Sequence, residues 1–209
     1  IWCEVVCAAD YGVPQKRHRM FMIGNRLGIN FEAPAKTHSD KDPNLLPYTT
    51  VGDAILDIAG LNEKDIPNHI ALAHKPLVAE RMSYVPEGGK LDLNTLPEHL
   101  QNATRKDSKT GKVANYSHVY KRLDRNKPST TMVPGHNAFP IHPTLNRTLT
   151  PREAARIQTF PDTLEFFGTR QQQCIQAGNA VPPKMAEPFF KKINEYIEEF
   201  TKGNIGDEP

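Results

Sequence analysis

The stretch Asp10-Tyr11-Gly12-Val13-Pro14-Gln15-Lys16-Arg17-His18-Arg19, running into Met20-Phe21-Met22-Ile23, decides how the chain begins to fold. Residues 2–9 before it are rich in Val, Cys and Ala and read as a short strand. Asp10 to Pro14 carries turn chemistry, with Gly tolerating unusual φ and Pro fixing its own. Residues 19–23 form a second, apolar strand stopped by Gly24-Asn25. The pattern predicts a hairpin with Gln15-Lys16-Arg17-His18-Arg19 at its mouth. Two readings of that mouth stand side by side: a solvated surface, or an anion or nucleic-acid site. The second rests on Arg being the preferred planar donor to phosphates and base edges.

Outward from the hairpin, Thr50 predicts a helix N-cap, with Asp53 three residues on and Val51, Ala54, Ile55 and Ile58 along one face up to Gly60. From about 68 to 140 the pattern is Pro-rich, Gly-rich and polar. Thr150, Pro151 and Glu153 predict a second capped helix, carried by Ala154, Ala155 and Ile157 to Phe160-Pro161. A short helix over 171–177 should stop at Gly178-Asn179, with Gly178 supplying positive φ. Pro182-Pro183 then start a last helix over 184–200 with Met185, Phe189, Ile193 and Tyr196 on one stripe.

A length of 209 residues suits one domain, or one domain with a smaller lobe. The apolar fraction of 38% implies a polar surface and much loop, and 18 Pro with 13 Gly is too little for a collagen or low-complexity chain. No apolar run approaches the ~20 residues of a membrane span, so no membrane partner is expected. Residues 1–9 are apolar, but they are short, contain Glu4 and lack a basic flank, so they do not read as a signal peptide. Because the chain starts without Met, we expect a fragment or a subunit whose beginning is missing. The net charge of +2 names no partner by itself. Between Asn102 and Lys127, however, stand eight basic residues and two acidic ones, with Tyr116 and Tyr120 interleaved. A charge run is usually a solvated face; beside Ser129-Thr130-Thr131 and Pro134-Gly135-His136-Asn137 it also suits backbone phosphates and base edges. Cys3, Cys7 and Cys174 are sparse and odd in number, which argues for a reducing compartment, and Cys3 and Cys7 read as buried thiols. The eight His are scattered without metal spacing. No metal site is expected, and neither a Ser/His/Asp set nor a phosphate-cradling Gly loop is present. The residues alone leave an enzyme unproven.

Three segments, in this order, resemble the DNA (cytosine-5) methyltransferase family. Gln15-Lys16-Arg17-His18-Arg19 resembles its Gln-x-Arg-x-Arg motif. Asn146-Arg147-Thr148-Leu149-Thr150-Pro151-Arg152-Glu153-Ala154-Ala155-Arg156-Ile157-Gln158-Thr159-Phe160-Pro161 resembles its Arg-Glu-x-Ala-Arg helix with the aromatic-Pro end. Gly178-Asn179-Ala180-Val181-Pro182-Pro183 resembles the turn before its last helix. The resemblance implies extrusion of a cytosine from the duplex, addition of a Cys thiolate to ring carbon 6, and methylation of carbon 5 by S-adenosylmethionine. It implies that Arg19 hydrogen-bonds the flipped base and that Arg17 braces the pocket or a phosphate. Gln15 would order the loop, and Gly178, Asn179 and Ala180 would close the methyl-donor site. Arg152 and Glu153 would be structural, bracing two lobes. Thr131, Gly135, His136 and Asn137 become candidates for the major groove of double-stranded DNA, and Lys121, Arg122 and Arg125 for its phosphates.

The family's Phe-x-Gly-x-Gly, Pro-Cys-Gln and Glu-Asn-Val motifs are absent, and none of the three Cys stands between Pro and Gln. The resemblance therefore implies an α/β chain that is the C-terminal part of a doubly wound, S-adenosylmethionine-dependent sheet plus a small irregular target-recognition lobe, inactive alone. Residues 1–60 would end the catalytic domain, 61–146 would form the recognition domain, 147–200 the closing helices and 201–209 a tail. The parent would be a monomeric, cytoplasmic prokaryotic enzyme of a restriction–modification system. One alternative is a DNA-binding specificity subunit that complements a separate N-terminal catalytic chain. Another is an RNA cytosine methyltransferase, against which the long insertion over 61–146 speaks.

Overall fold

The computed structural model describes residues 1–92, 95–101, 120–132 and 139–205. Strands β1 (Trp2–Cys7) and β3 (His18–Ile23) pair antiparallel, with Val6 opposite Arg19 and Glu4 opposite Phe21. Between them lies a single 3-10 turn (Ala8–Tyr11), closed by Gly12 at φ +78°, and the two-residue strand β2 (Gln15–Lys16). β2 leaves the hairpin and pairs in parallel with β4 (Ser129–Thr130). The helices are α1 (Val51–Ile55), α2 (Pro76–Ser83), α3 (Glu98–Gln101), α4 (Pro151–Ile157), α5 (Arg170–Asn179) and α6 (Pro183–Ile205).

Two of these helices start as predicted, for a local reason. Thr50 and Thr150 each accept a hydrogen bond from the backbone N–H three residues on, while Asp53 and Glu153 return one to the cap N–H. α1 is shorter than expected: it tightens into a 3-10 turn (Leu56–Ile58) before Gly60. α6 runs five residues past the predicted end at 200, to Ile205.

Period-2 alternation turns Arg19, Phe21 and Ile23 to the half-buried face, where Phe21 and Ile23 pack against α6, and leaves His18, Met20 and Met22 outward. Phe21 stacks on Phe189 with ring centroids 4.3 Å apart, and Val6, Tyr11, Val13, Phe31 and Met185 complete that core. The opposite face is open, with Val5, Met20 and Met22 each more than 60% exposed. Cys3, opposite Met22, shares that face and is exposed, which corrects its reading as a buried thiol; Cys7 is half-buried and Cys174 buried. A second core joins Val51 and Ile55 of α1, Ala154, Ala155 and Ile157 of α4, and Cys174 and Ala177 of α5. Leu123, Met132 and Phe139, from the segment expected as a separate lobe, pack into this same core.

The sheets bear out the fold expectation in its coarser part, a mixed α/β structure. The described residues form a mixed α/β structure with two two-stranded sheets and no doubly wound parallel sheet. A hairpin as short as 2–23 can only pair antiparallel, because parallel neighbours need a long crossover. None of the described helices is long and apolar enough to cross a membrane.

Candidate functional site

β2 carries the chain from the hairpin into the body of the protein. Ser129 donates its N–H to Pro14 O at 2.9 Å, and Ala8 donates to Arg17 O at 2.8 Å, so residues 14–17 are pinned on both sides. That placement buries Gln15 and Arg17 and leaves Lys16 and His18 outside. The solvated-mouth reading is thus wrong for the two residues that alternate inward.

Arg17 reaches across 161 positions of sequence: its Nη1 donates to Gly178 O at 3.1 Å. The same carbonyl accepts from Gln158 Nε2 at 3.3 Å, and that amide also donates to Ala177 O at 2.8 Å. One residue from each of the three motif segments therefore meets at one carbonyl oxygen. Burial first, and the charge of Arg19 second, pull the Arg17 guanidinium down to about 10, so it stays charged at neutral pH. Arg19 is half-buried, and its guanidinium donates to His18 O at 2.7 Å. Among the described residues neither arginine has a carboxylate partner. Two neighbouring cations without a counter-ion suit an anionic or acceptor-rich ligand.

Gly178 is not the positive-φ stop expected. It lies inside α5, buried, and the left-handed glycines among the described residues are Gly12, Gly28, Gly88 and Gly168. The helix continues to Asn179 because side chains from two other segments cap its last carbonyls, so no left-handed residue is needed there. Asn179 is exposed and Ala180 half-buried at the extended turn that follows.

Arg152 is wholly enclosed and donates to the carbonyls of Pro67, Pro161 and Leu164. Glu153 is equally enclosed and accepts both Arg147 guanidinium nitrogens, at 2.8 and 2.7 Å. Burial alone would raise its carboxyl pKa, but Arg147, His142 and the Thr150 N–H outweigh that and lower it.

The phosphate candidates fare unequally. Arg122 is buried and spends its guanidinium on Met82 O, Val85 O, His142 O, Leu145 O and Asn146 Oδ1, all at 2.7–2.8 Å. It is an internal clamp with no donor face toward DNA, which corrects its assignment. Arg125 is exposed but held bidentate by Glu87 at 2.8 and 2.9 Å, so a phosphate would have to displace a carboxylate. Lys121 is half-buried, 3.4 Å from Thr130 Oγ1; burial and Lys90 lower its pKa. Thr131 is exposed, but its hydroxyl donates to Lys16 O at 3.1 Å, tying the candidate recognition segment to the arginine segment. Gly135, His136 and Asn137 lie outside the described residues. No grouping of His, Cys, Asp or Glu suited to a metal occurs among the described residues.

Sequence reasoning missed Gln158. A Gln at the last turn of an amphipathic helix looks like an ordinary polar end; only its complete burial marks it.

A sequence model of the C-5 cytosine-specific DNA methylase family matches residues 1–195. The chain belongs to that family. Among similar members is the Type II methyltransferase M1.HphI of Haemophilus parahaemolyticus, 39% identical over 194 residues that make 91% of this chain and 47% of the relative. The chain thus spans about half the length of such a methylase. A shorter member, the Type II methyltransferase M.AquIB of a Picosynechococcus strain, is 38% identical over 144 residues, 63% of this chain and 90% of the relative. A crystal structure from E. coli, described as a prophage-encoded DNA modification methyltransferase, superposes with TM-score 0.62 at 24% identity, over 95% of this chain and 60% of the other. That likeness speaks for the fold. The three segments that resemble the family's motifs are those that the Arg17–Gly178–Gln158 junction joins.

Proposed function

We propose that this chain is the C-terminal portion of a site-specific DNA cytosine-5 methyltransferase of a restriction–modification system, acting on double-stranded DNA in a prokaryotic cytoplasm. The observation that carries the reading is the hydrogen bond of Arg17 to Gly178 O, which brings the arginine segment and the Gly178–Ala180 turn to one place. S-adenosylmethionine, when bound to the assembled enzyme, supplies the methyl group for carbon 5 of an extruded cytosine. Asn179 fits a role beside it. Its amide is exposed at the end of α5 and makes no side-chain hydrogen bond to described residues, so it is available to an external polar group.

Within this reading Arg19 donates to the flipped base, whose exocyclic carbonyl oxygen and unprotonated ring nitrogen are acceptors. Arg17 stays fixed on Gly178 O and adds positive charge where a nucleophilic thiolate from outside this chain would be favoured. Gln15 holds the loop, and Gly178, Asn179 and Ala180 border the methyl donor. Lys121, Arg125 and Thr131 face the DNA. The doubly wound sheet belongs to the assembled enzyme. A two-stranded sheet with one apolar face open supports this, since such a hairpin is marginal alone.

A second reading has one observation in its favour: M.AquIB, which this chain covers almost end to end at 90%. The chain would then act with a separate catalytic chain. One experiment serves both readings. The chain is assayed for radiolabelled methyl transfer to DNA alone, then with a catalytic N-terminal complement added in trans or fused. We expect no transfer alone and transfer to cytosine carbon 5 on complementation; transfer to adenine or to RNA only would refute the proposal.

A further inference from the structure

Gln158 has 0% exposure at the end of α4. Its Nε2 bridges Ala177 O and Gly178 O, at 2.8 and 3.3 Å. These are among the last carbonyls of α5, which backbone turns usually cap. Here the capping groups come instead from α4 and from Arg17. Both capping side chains carry a buried polar atom without a partner, Gln158 Oε1 and Arg17 Nε. Orphaned buried atoms are rare and costly, and they concentrate where geometry serves something other than stability. Gln158 also lies next to Thr159, at φ +65°, whose hydroxyl accepts the Lys184 N–H at 3.2 Å where α6 begins. The segment 158–159 therefore holds the turn between α5 and α6 at both ends.

We propose that Gln158 is a positioning residue for methyl transfer: by fixing the Gly178 carbonyl it sets both the Arg17 guanidinium and the Asn179–Ala180 turn. This rests on the function proposed above. Gln158 touches neither base nor donor; it acts through Gly178. If that carbonyl is released, the turn loses its fixed position and the methyl donor loses part of its site, while the DNA-facing segments near Thr131 keep their own tether to Lys16 O.

The test uses the complete methyltransferase that contains this chain, with Gln158→Met, which keeps volume and removes the donor, and Gln158→Glu, which keeps shape. We measure the Kd of S-adenosylmethionine by calorimetry without DNA, the KM values for donor and DNA, and Tm. We expect the donor Kd and KM to rise about tenfold, as for a lost buried hydrogen bond, with the DNA KM within about twofold. A lowered Tm with unchanged donor Kd and KM would overturn the proposal, and so would failure of both variants to fold, since either makes Gln158 purely structural. If the unaltered enzyme does not methylate cytosine, the functional reading falls. If it does and the donor constants do not move, only the role of Gln158 falls.

Discussion

Replacing Arg122 by Met distinguishes an internal clamp from a phosphate contact, and the size of the effect follows from its partners. The guanidinium serves five acceptors. Met82 O keeps the Val85 N–H at 3.1 Å, and Asn146 is exposed enough to take water. Leu145 is half-buried and also reaches solvent. Val85 O and His142 O lose the donors they have in the interior. Two orphaned buried acceptors cost about 1–3 kcal/mol each. Relief from burying a cation returns part of that, so the net loss is about 3 kcal/mol. In a chain of this size that lowers Tm by roughly 6–12 °C. Thermal unfolding followed by circular dichroism reads the shift, and hydrogen exchange should place the loosening at 82–85 and 142–146. In the DNA-binding enzyme, the slope of log affinity against log salt should not change. A Tm within 2 °C of the parent, together with a slope reduced by about one phosphate's worth, would show that Arg122 contacts the backbone of DNA and that the clamp assignment is wrong.

In the complemented enzyme, Arg19→Ala should cut kcat/KM by about 10²–10³, the usual cost of removing one buried donor to a reacting group. Its Tm should hardly move, because among the described residues the guanidinium bonds one neighbouring carbonyl; unchanged turnover would remove Arg19 from the base pocket. Gly12→Ala should destabilise by about 1–3 kcal/mol, from the left-handed φ of +78° and a new Cβ 2.7 Å from His38 Cε1; a neutral urea midpoint would refute it. Acid should weaken the fold through His142, whose Nδ1 accepts the N–H groups of Thr144 and Leu145 while burial, with Arg147 and Arg122, pulls its pKa to about 4 against an opposing pull from Glu153. The unfolded chain then binds the extra proton below about 6.5, so stability is intact above that pH and is lost progressively as pH falls toward 4, by at most about 3 kcal/mol. His142→Asn, which keeps an acceptor, should flatten the Tm–pH curve between 6.5 and 4.5; an equal slope in both proteins would exclude His142 as the group that titrates.

What the sequence could reveal was local. The capping boxes at Thr50 and Thr150 close within three residues, so side-chain chemistry and spacing suffice to find them. The alternation of β3 is equally short-range. Arg122 shows the opposite case. Its five acceptors lie between 20 and 40 positions away, and a run of basic residues looks the same whether its guanidinium groups face water or a cage of carbonyls. Gly178 was misread for a related reason: a glycine after a helical pattern usually marks a stop, but here caps from residues 20 and 161 positions distant let the helix continue through it. The open sheet face hid Cys3 in the same way, because an apolar strand does not say which of its two faces will be covered.

The candidate site is itself a long-range object, assembled from three segments far apart in the chain. No periodicity or spacing places Arg17 beside Gly178; what joins them is the departure of β2 from its hairpin to pair with β4. That strand pairing and the Thr131–Lys16 bond put the candidate recognition segment and the arginine segment in one register. A shift in the former must then be felt at Arg17, two residues from Gln15, which pairs with Ser129. In the function proposed above, recognition of a DNA site and capture of one base are joined mechanically through the parallel pair β2–β4. Breaking it with Ser129→Pro, which removes the N–H donated to Pro14 O, should therefore lower site discrimination and turnover together in the complemented enzyme. Loss of turnover with discrimination intact would show that the two segments act independently.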